Sequence, residues 1–178
     1  FVVAVVLLEV SSGELIILPD STSGTPTTAE AVTITGGSGS DAITLTNTIS
    51  AIDTVSGGAG DDTITFTTTG VADALTDADT VDGGDGTDTL VAVRADMVGV
   101  TAAAKITNFE ALTISDSHTT GTLTTATVQA GIDKVTLAGG SNAGTVTFEA
   151  GSKTLAITAA NTGAVTVNDT GLAVNDSL

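Results

Sequence analysis

The sequence predicts an all-β chain wound as a parallel β-solenoid, and three observations lead to this fold class. Threonine supplies most of the polar surface, and together with valine it favours pleated, half-buried strands. Three glycine- and aspartate-rich segments align without gaps. Short apolar–small–apolar segments then continue at even spacing, separated by turn residues. Evenly spaced short strands also occur in an antiparallel β-sandwich, which stays as the alternative.

The net charge of the chain limits the kinds of molecule that it is expected to bind. Its 178 residues include 21 acidic and 4 basic side chains, for a net charge of −17 and a pI near 4.1. Such a charge repels nucleic acid and anionic membranes, so we expect neither as a partner. Strongly acidic chains are often disordered, but this one is 41% hydrophobic with a mean hydropathy of +0.41. We therefore expect a folded protein that binds cations.

The three aligned segments share the pattern G-G-x-G-x-D-x-U-x, in which U is a large aliphatic residue. They cover residues 36–44, 57–65 and 83–91, with starts 21 and 26 residues apart. Each is interpreted as one tight turn followed by one short strand, so that successive turns stack on one edge of a solenoid. Further short strands are expected at Leu112–Ile114, Val135–Leu137, Val146–Phe148, Leu155–Ile157, Val165–Val167 and Leu172–Val174.

Changes in composition divide the chain into three parts: an N-terminal strand arm and linker (1–30), the glycine- and aspartate-rich repeats (31–98) and solenoid coils (99–178). The segment Phe1–Val10 is apolar on both faces, so as a strand it would be buried on both faces. One interpretation is a strand in the core of its own subunit. The other is an arm that completes the sheet of a neighbouring copy.

The glycine–aspartate pattern has a chemical interpretation. Glycine permits backbone conformations that turn carbonyl oxygens inward, and the aspartate adds a carboxylate to them. Such hard oxygen ligands suit Ca²⁺, which accepts 6–8 of them. We expect Asp53 and Asp73 to be solvated. The candidate metal ligands are Gly36, Ser38, Asp41, Gly57, Ala59, Asp61, Asp62, Asp77, Asp79, Asp82, Gly83, Asp85 and Asp88.

At these three segments the chain resembles the repeats-in-toxin (RTX) family, whose nonapeptide binds Ca²⁺ in a parallel β-roll. Here the nonapeptides are not contiguous. A looser resemblance, over Gly83–Ala92 and Ile106–Ile114, is to the β-solenoid modules of bacterial surface-layer proteins of the RTX type. Membership would imply export, usually through a one-step type I system, and calcium-driven assembly outside the cell.

Nothing in the sequence predicts catalysis. His118 lies in a polar segment and is expected to be a surface or turn residue, and no nucleophile elbow or pair of zinc-binding histidines occurs. We expect a structural, extracellular protein that Ca²⁺ stabilises and that assembles with copies of itself into a surface layer or filament, possibly by donating Phe1–Val10. The alternative is a calcium-dependent adhesin module or an accessory RTX domain of a secreted enzyme.

Overall fold

The computed structural model describes residues 15–19, 33–47, 53–68, 75–101 and 105–169. Within these ranges the chain winds as a parallel β-solenoid, which confirms the predicted fold class. Every strand pair is parallel, and each joins strands from successive coils. An antiparallel sandwich is therefore excluded for this part of the chain. The predicted arm, Phe1–Val10, lies outside the described residues.

The first sheet runs the whole length of the described solenoid. Its strands, in the order in which they pair, are β1 (Leu15–Pro19), β3 (Ala42–Asn47), β5 (Thr63–Thr68), β7 (Thr89–Ala92), β9 (Ala111–Ile114), β11 (Lys134–Leu137) and β13 (Thr154–Ile157). Along β3, β5, β7, β9 and β11 a buried apolar residue alternates with a more exposed one, because one face of these strands packs in the core and the other does not.

Two shorter sheets share the opposite wall of the solenoid. The second sheet contains β2 (Thr33–Ser38), β4 (Thr54–Ala59), β6 (Thr80–Asp85) and β8 (Lys105–Thr107). The third sheet contains β10 (Thr122–Thr124), β12 (Thr145–Phe148) and β14 (Thr166–Asp169). Two helical segments, α1 (Arg94–Gly99) and α2 (Thr125–Val128), complete the coils.

The core consists of columns of stacked aliphatic side chains. In the first sheet, Ile43 pairs with Ile64, Ile64 with Leu90, and Leu90 with Leu112, and all four are fully buried. Burying one such side chain contributes about 1.5–3 kcal/mol to folding. Since a slip of one residue would turn every aliphatic side chain outward, these columns fix the register between coils.

A side chain joins the second sheet to the third. The amide of Gln129 accepts a hydrogen bond from the main-chain N–H of Phe109 at 3.0 Å and donates one to its carbonyl oxygen at 2.9 Å. Gln129 thus pairs with both main-chain polar groups of Phe109, as a neighbouring strand would. The solenoid continues past β8 although the second sheet ends there.

The two edges of the solenoid differ in how much the length of their connecting segments varies from coil to coil. Three residues join each second-sheet strand to the next first-sheet strand, at 39–41, 60–62, 86–88 and 108–110. On the other edge, β3 and β4 are separated by residues 48–53, whereas β5 and β6 are separated by residues 69–79. The constant edge is the one that carries the nonapeptides.

Candidate metal centre

The three nonapeptides stack on the constant edge. Each begins in a second-sheet strand, turns through three residues and ends in a first-sheet strand. Their second glycines are in register, Gly37 with Gly58 and Gly58 with Gly84. Gly58 has φ +108°, and a Cβ at this position would overlap the carbonyl oxygen of Gly37, so glycine is required both for conformation and for space.

The motif aspartates form a ladder across the coils. The main-chain N–H of Asp41 donates to Oδ1 of Asp62 at 2.8 Å, and that of Asp62 donates to Oδ1 of Asp88 at 2.7 Å. The N–H of Asp88 in turn donates to Oε2 of Glu110 at 2.8 Å. Each carboxylate is therefore held in place by the preceding coil.

Asp62 and Asp88 each have one carboxylate oxygen without a hydrogen-bond partner in the described part of the chain, and Asp41, at the start of the ladder, has two. Among the described residues, Oδ2 of Asp41, Asp62 and Asp88 has no hydrogen-bond partner, and we call these three atoms the inward oxygens. The three side chains are at most 3% exposed. A buried charge without a partner is costly, so the folded chain needs a positive charge at these positions.

The inward oxygens face main-chain carbonyls of the next coil. A Cβ added to Gly57 would overlap both Oδ2 of Asp62 and the carbonyl oxygen of Gly83. A Cβ on Gly36 would lie 2.8 Å from Oδ2 of Asp41 and would overlap the carbonyl oxygen of Gly57. Because the first glycine of each motif has no side chain, it leaves open a space in which a carboxylate oxygen and a carbonyl oxygen converge. These two places are the first pocket (Gly36, Asp41, Gly57) and the second pocket (Gly57, Asp62, Gly83).

Burial makes these carboxylates harder to ionise. It raises the pKa of Asp62, and the charges of Asp41 and Asp61 raise it further, although the hydrogen bond from the Asp41 N–H opposes the rise. Burial likewise raises the pKa of Asp88, with smaller increases from Asp62 and Glu110. A bound cation would reverse this effect, because it favours the ionised form.

The donor set fits a hard cation bound mainly by oxygen. In the part of the chain that the structure describes, no three acidic, histidine or cysteine side chains converge on one point. Any ion on this edge must therefore take main-chain carbonyls together with the carboxylates. Ca²⁺ accepts this mixture of ligands and tolerates irregular geometry, whereas Mg²⁺ demands a near-ideal octahedron.

A family model described as RTX calcium-binding nonapeptide repeat (4 copies) matches residues 50–65 and 71–92. The chain carries RTX repeats. RTX nonapeptide repeats bind Ca²⁺, so the ligand is calcium. The matched segments contain the second and third nonapeptides, together with the strands and turns that precede them. Neither the curated proteins nor the solved structures contain a significant match to this chain.

Several other candidate ligands lie around the RTX turns. Asp61 and Asp85 are exposed or partly exposed, and Oδ1 of Asp61 accepts the N–H of Thr87 at 2.9 Å. The carbonyl oxygens of Ala59 and Asp85 accept hydrogen bonds from Gly39 and Gly60 at 2.6 and 2.8 Å. These contacts stack one RTX turn on the next. Two further candidates near these turns lie on strands, Ser38 on β2 and Asp82 on β6. Asp82 accepts a hydrogen bond from Nδ2 of Asn108 at 2.7 Å.

The structure separates Asp77 and Asp79 from the RTX turns. Both lie on the opposite edge, before β6, and Asp79 accepts bonds from the N–H of Thr76 at 2.6 Å and of Asp53 at 2.8 Å. Asp77 accepts bonds from the N–H and the hydroxyl of Thr101, which hold its pKa below the usual range. Both carboxylates thus accept hydrogen bonds from the protein itself in this turn. Their role as metal ligands stays a prediction.

Two sequence-based expectations need correction. Asp53 was expected to be solvated, but it is 0% exposed because its turn stacks on that of Asp79. His118 was expected to be a surface or turn residue, but it is 0% exposed and forms a parallel bridge with Ser141, and its Nε2 lies 3.1 Å from the carbonyl oxygen of Thr145. The other solvated candidate, Asp73, lies outside the described residues.

Proposed function

We propose that this chain is a non-catalytic, calcium-stabilised structural subunit that assembles with copies of itself outside the cell, as a surface layer or a filament. The observation that carries the calcium part is the stack of buried inward oxygens. Extracellular calcium modules bind at about 10⁻⁴–10⁻³ M, so such sites fill outside the cell and stay empty in the cytosol. RTX repeats are typical of secreted proteins, which agrees with this arrangement.

The energy available from calcium is large enough to control folding. One ion present at 100 times its dissociation constant adds about 2.7 kcal/mol to stability. A whole domain is stable by only about 5–15 kcal/mol. Two or three ions therefore decide whether the RTX half folds, and assembly follows export.

Support for self-assembly comes from apolar side chains in the last described coils. Ile157 in β13 is 38% exposed, whereas its partner Leu137 in the preceding coil is fully buried. Leu155 and Val167 are only partly buried. Apolar side chains at this level favour packing against a further coil, and in the proposed polymer another copy supplies it. No helix among the described residues is long and apolar enough to cross a membrane.

Negative-stain electron microscopy of the purified chain in millimolar calcium and in chelator tests the proposal. We expect ordered polymers in calcium and none in chelator. Particles that stay monomeric in calcium, while circular dichroism reports full folding, would contradict self-assembly and favour the adhesin or accessory-module interpretation.

The same images of a chain lacking Phe1–Val10 test the strand-donating arm, because its loss should abolish polymers and leave calcium binding intact.

A further inference from the structure

The acidic ladder continues for one coil after the last nonapeptide. The turn after β8 has three residues, 108–110, as the three nonapeptide turns do, and it also ends in an acidic residue. It contains no glycine and lies outside the segments that match the RTX model. Register places Asn108 opposite Gly83, because Asp82 pairs with Thr107. The chain therefore has a fourth turn of this kind without the fourth motif.

Glu110 takes the place of a motif aspartate in this turn. It immediately precedes β9, as Asp88 precedes β7, and Thr89 pairs with Ala111. From Gly83 to Asp88 there are five residues, but from Asn108 to Glu110 there are only two. The turns have equal length, but β8 ends earlier than β6, so the path from the position opposite Gly83 to the acidic residue is shorter. The extra methylene of glutamate lets its Oε2 reach the N–H of Asp88, at 2.8 Å, over this shorter path.

The oxygens around Gly83 repeat the arrangement of the second pocket. A Cβ on Gly83 would lie 2.9 Å from the inward oxygen of Asp88 and would overlap the carbonyl oxygen of Asn108. Asp88 is 0% exposed, and no hydrogen-bond donor in the described ranges reaches its Oδ2. Asn108 has φ +58°, a left-handed conformation that asparagine tolerates better than most residues. The carbonyl oxygen of Asn108 takes the place that the carbonyl oxygens of Gly57 and Gly83 have in the first and second pockets.

We propose that Gly83, Asp88, Asn108 and Glu110 form a third pocket, a calcium site that is closed on one side by a turn without the nonapeptide. The inference rests on the proposed calcium binding of this edge and extends it by one coil. Asp88 supplies the inward oxygen, Asn108 the carbonyl oxygen and Glu110 a second negative charge. The calcium-binding edge then ends at Glu110 and not at Asp88.

The test compares Glu110→Gln with Glu149→Gln in the full chain. Gln keeps an oxygen for the N–H of Asp88, so the variant is expected to fold. Glu149 is also partly buried and accepts a main-chain N–H, that of Gly131, but it lies away from the RTX turns. Both substitutions remove one negative charge, so unspecific calcium attraction to a chain of charge −17 changes equally in both.

Native mass spectrometry counts the ions, and calorimetric titration gives their dissociation constants. We expect Glu110→Gln to weaken one site on the order of tenfold, because affinity follows the number of charged ligands, while Glu149→Gln keeps all sites. Equal counts and constants in the two variants would overturn the third pocket. A wild-type chain that takes up no calcium would instead overturn the proposed function. If Glu110→Gln does not fold, Glu110→Asp is compared with Glu149→Asp. Both keep the charge and shorten the side chain, and only Glu110→Asp should weaken one site, so equal constants in this pair would also overturn the third pocket.

Discussion

The main-chain N–H of Asp62 donates to Oδ1 of Asp88, 26 residues later in the chain, at 2.7 Å. This bond uses one oxygen of the Asp88 carboxylate and leaves the other facing Gly83. The same division holds for Asp62, whose Oδ1 accepts the N–H of Asp41. Each carboxylate thus stacks two coils with one oxygen and presents the other to a cation.

Replacing Asp62 by Asn should remove the part of the calcium effect on stability that belongs to the second pocket. The amide keeps an acceptor for the Asp41 N–H, but it no longer supplies the charge that holds the ion. We expect a loss of about 2.7 kcal/mol in calcium at 100 times its dissociation constant, and no loss in chelator. Urea unfolding followed by circular dichroism measures both. Asp116→Asn is the matched control, because the exposed Asp116 also accepts a main-chain N–H, that of Arg94 at 2.6 Å, but lies outside the RTX turns and should leave the calcium effect unchanged.

Replacing Gly57 by Ala should weaken calcium binding and also destabilise the fold. The new methyl group would overlap Oδ2 of Asp62 and the carbonyl oxygen of Gly83, and the cost of such overpacking is about 1–3 kcal/mol. Calorimetric titration with calcium measures the affinity. Gly131→Ala is the control, because its φ of +97° makes this substitution destabilising as well, but it lies away from the pockets and should leave the calcium affinity unchanged. If both variants bound calcium as the wild type does, the role of Gly57 in the pocket would be wrong.

Acidification should affect the calcium-free and the calcium-bound protein in opposite directions. The raised pKa values of Asp62 and Asp88 mean that the calcium-free fold prefers their protonated forms. Their stabilising contribution is complete below the ordinary carboxyl pKa of 3.8 and is lost as the pH rises through the raised values. Calcium needs the ionised forms, so its stabilising effect should shrink on acidification.

Urea unfolding at about pH 4 and about pH 7, with and without calcium, measures this dependence. The double variant Asp62→Asn, Asp88→Asn should lose it, whereas Asp116→Asn, Glu149→Gln, which makes the same change in net charge outside the RTX turns, should retain it. Identical pH profiles for the two double variants would show that overall charge, and not the buried pair, causes the dependence.

Lys153 should stabilise the later coils whether or not calcium is present. Its side chain is 8% exposed, and its Nζ donates to the carbonyl oxygen of Ile132 at 3.0 Å and to Oδ1 of Asp133 at 2.8 Å. A carboxylate and a carbonyl thus meet a positive charge that belongs to the chain itself. Since Asp133 is 64% exposed, we expect Lys153→Met to cost only about 1 kcal/mol, equally in calcium and in chelator. Lys134→Met, at an exposed strand position, should cost less.

The sequence predicts the RTX turns well because their chemistry is local. Glycine at fixed positions and aspartate before an aliphatic residue specify both the turn and the start of the strand. The same reasoning missed Asp53, although Asp53-Thr54-Val55 repeats the tail of the motif, as Asp62-Thr63-Ile64 does. Attention to that tail alone, without the glycines, would have placed Asp53 in a stacked turn.

Some structural features depend on contacts between residues of different coils, and a local sequence pattern does not predict such contacts. His118 is buried because Gly144, one coil later, leaves room for its ring, where a Cβ would overlap the imidazole. Glu110 extends the acidic ladder only because β8 ends early and its longer side chain reaches Asp88. The pairing of Gln129 with Phe109 likewise requires the register of the whole solenoid.

The constancy of one edge has a consequence for how the chain tolerates insertions. Three residues make each crossing from the second sheet to the first, on the calcium side, whereas residues 48–53 and 69–79 make crossings of unequal length on the far side. Stacking of these coils therefore does not depend on how many residues the far side contains. An epitope or a small foreign domain placed between residues 70 and 74 should leave the solenoid and its ions undisturbed, which makes this position suited to carrying an inserted sequence.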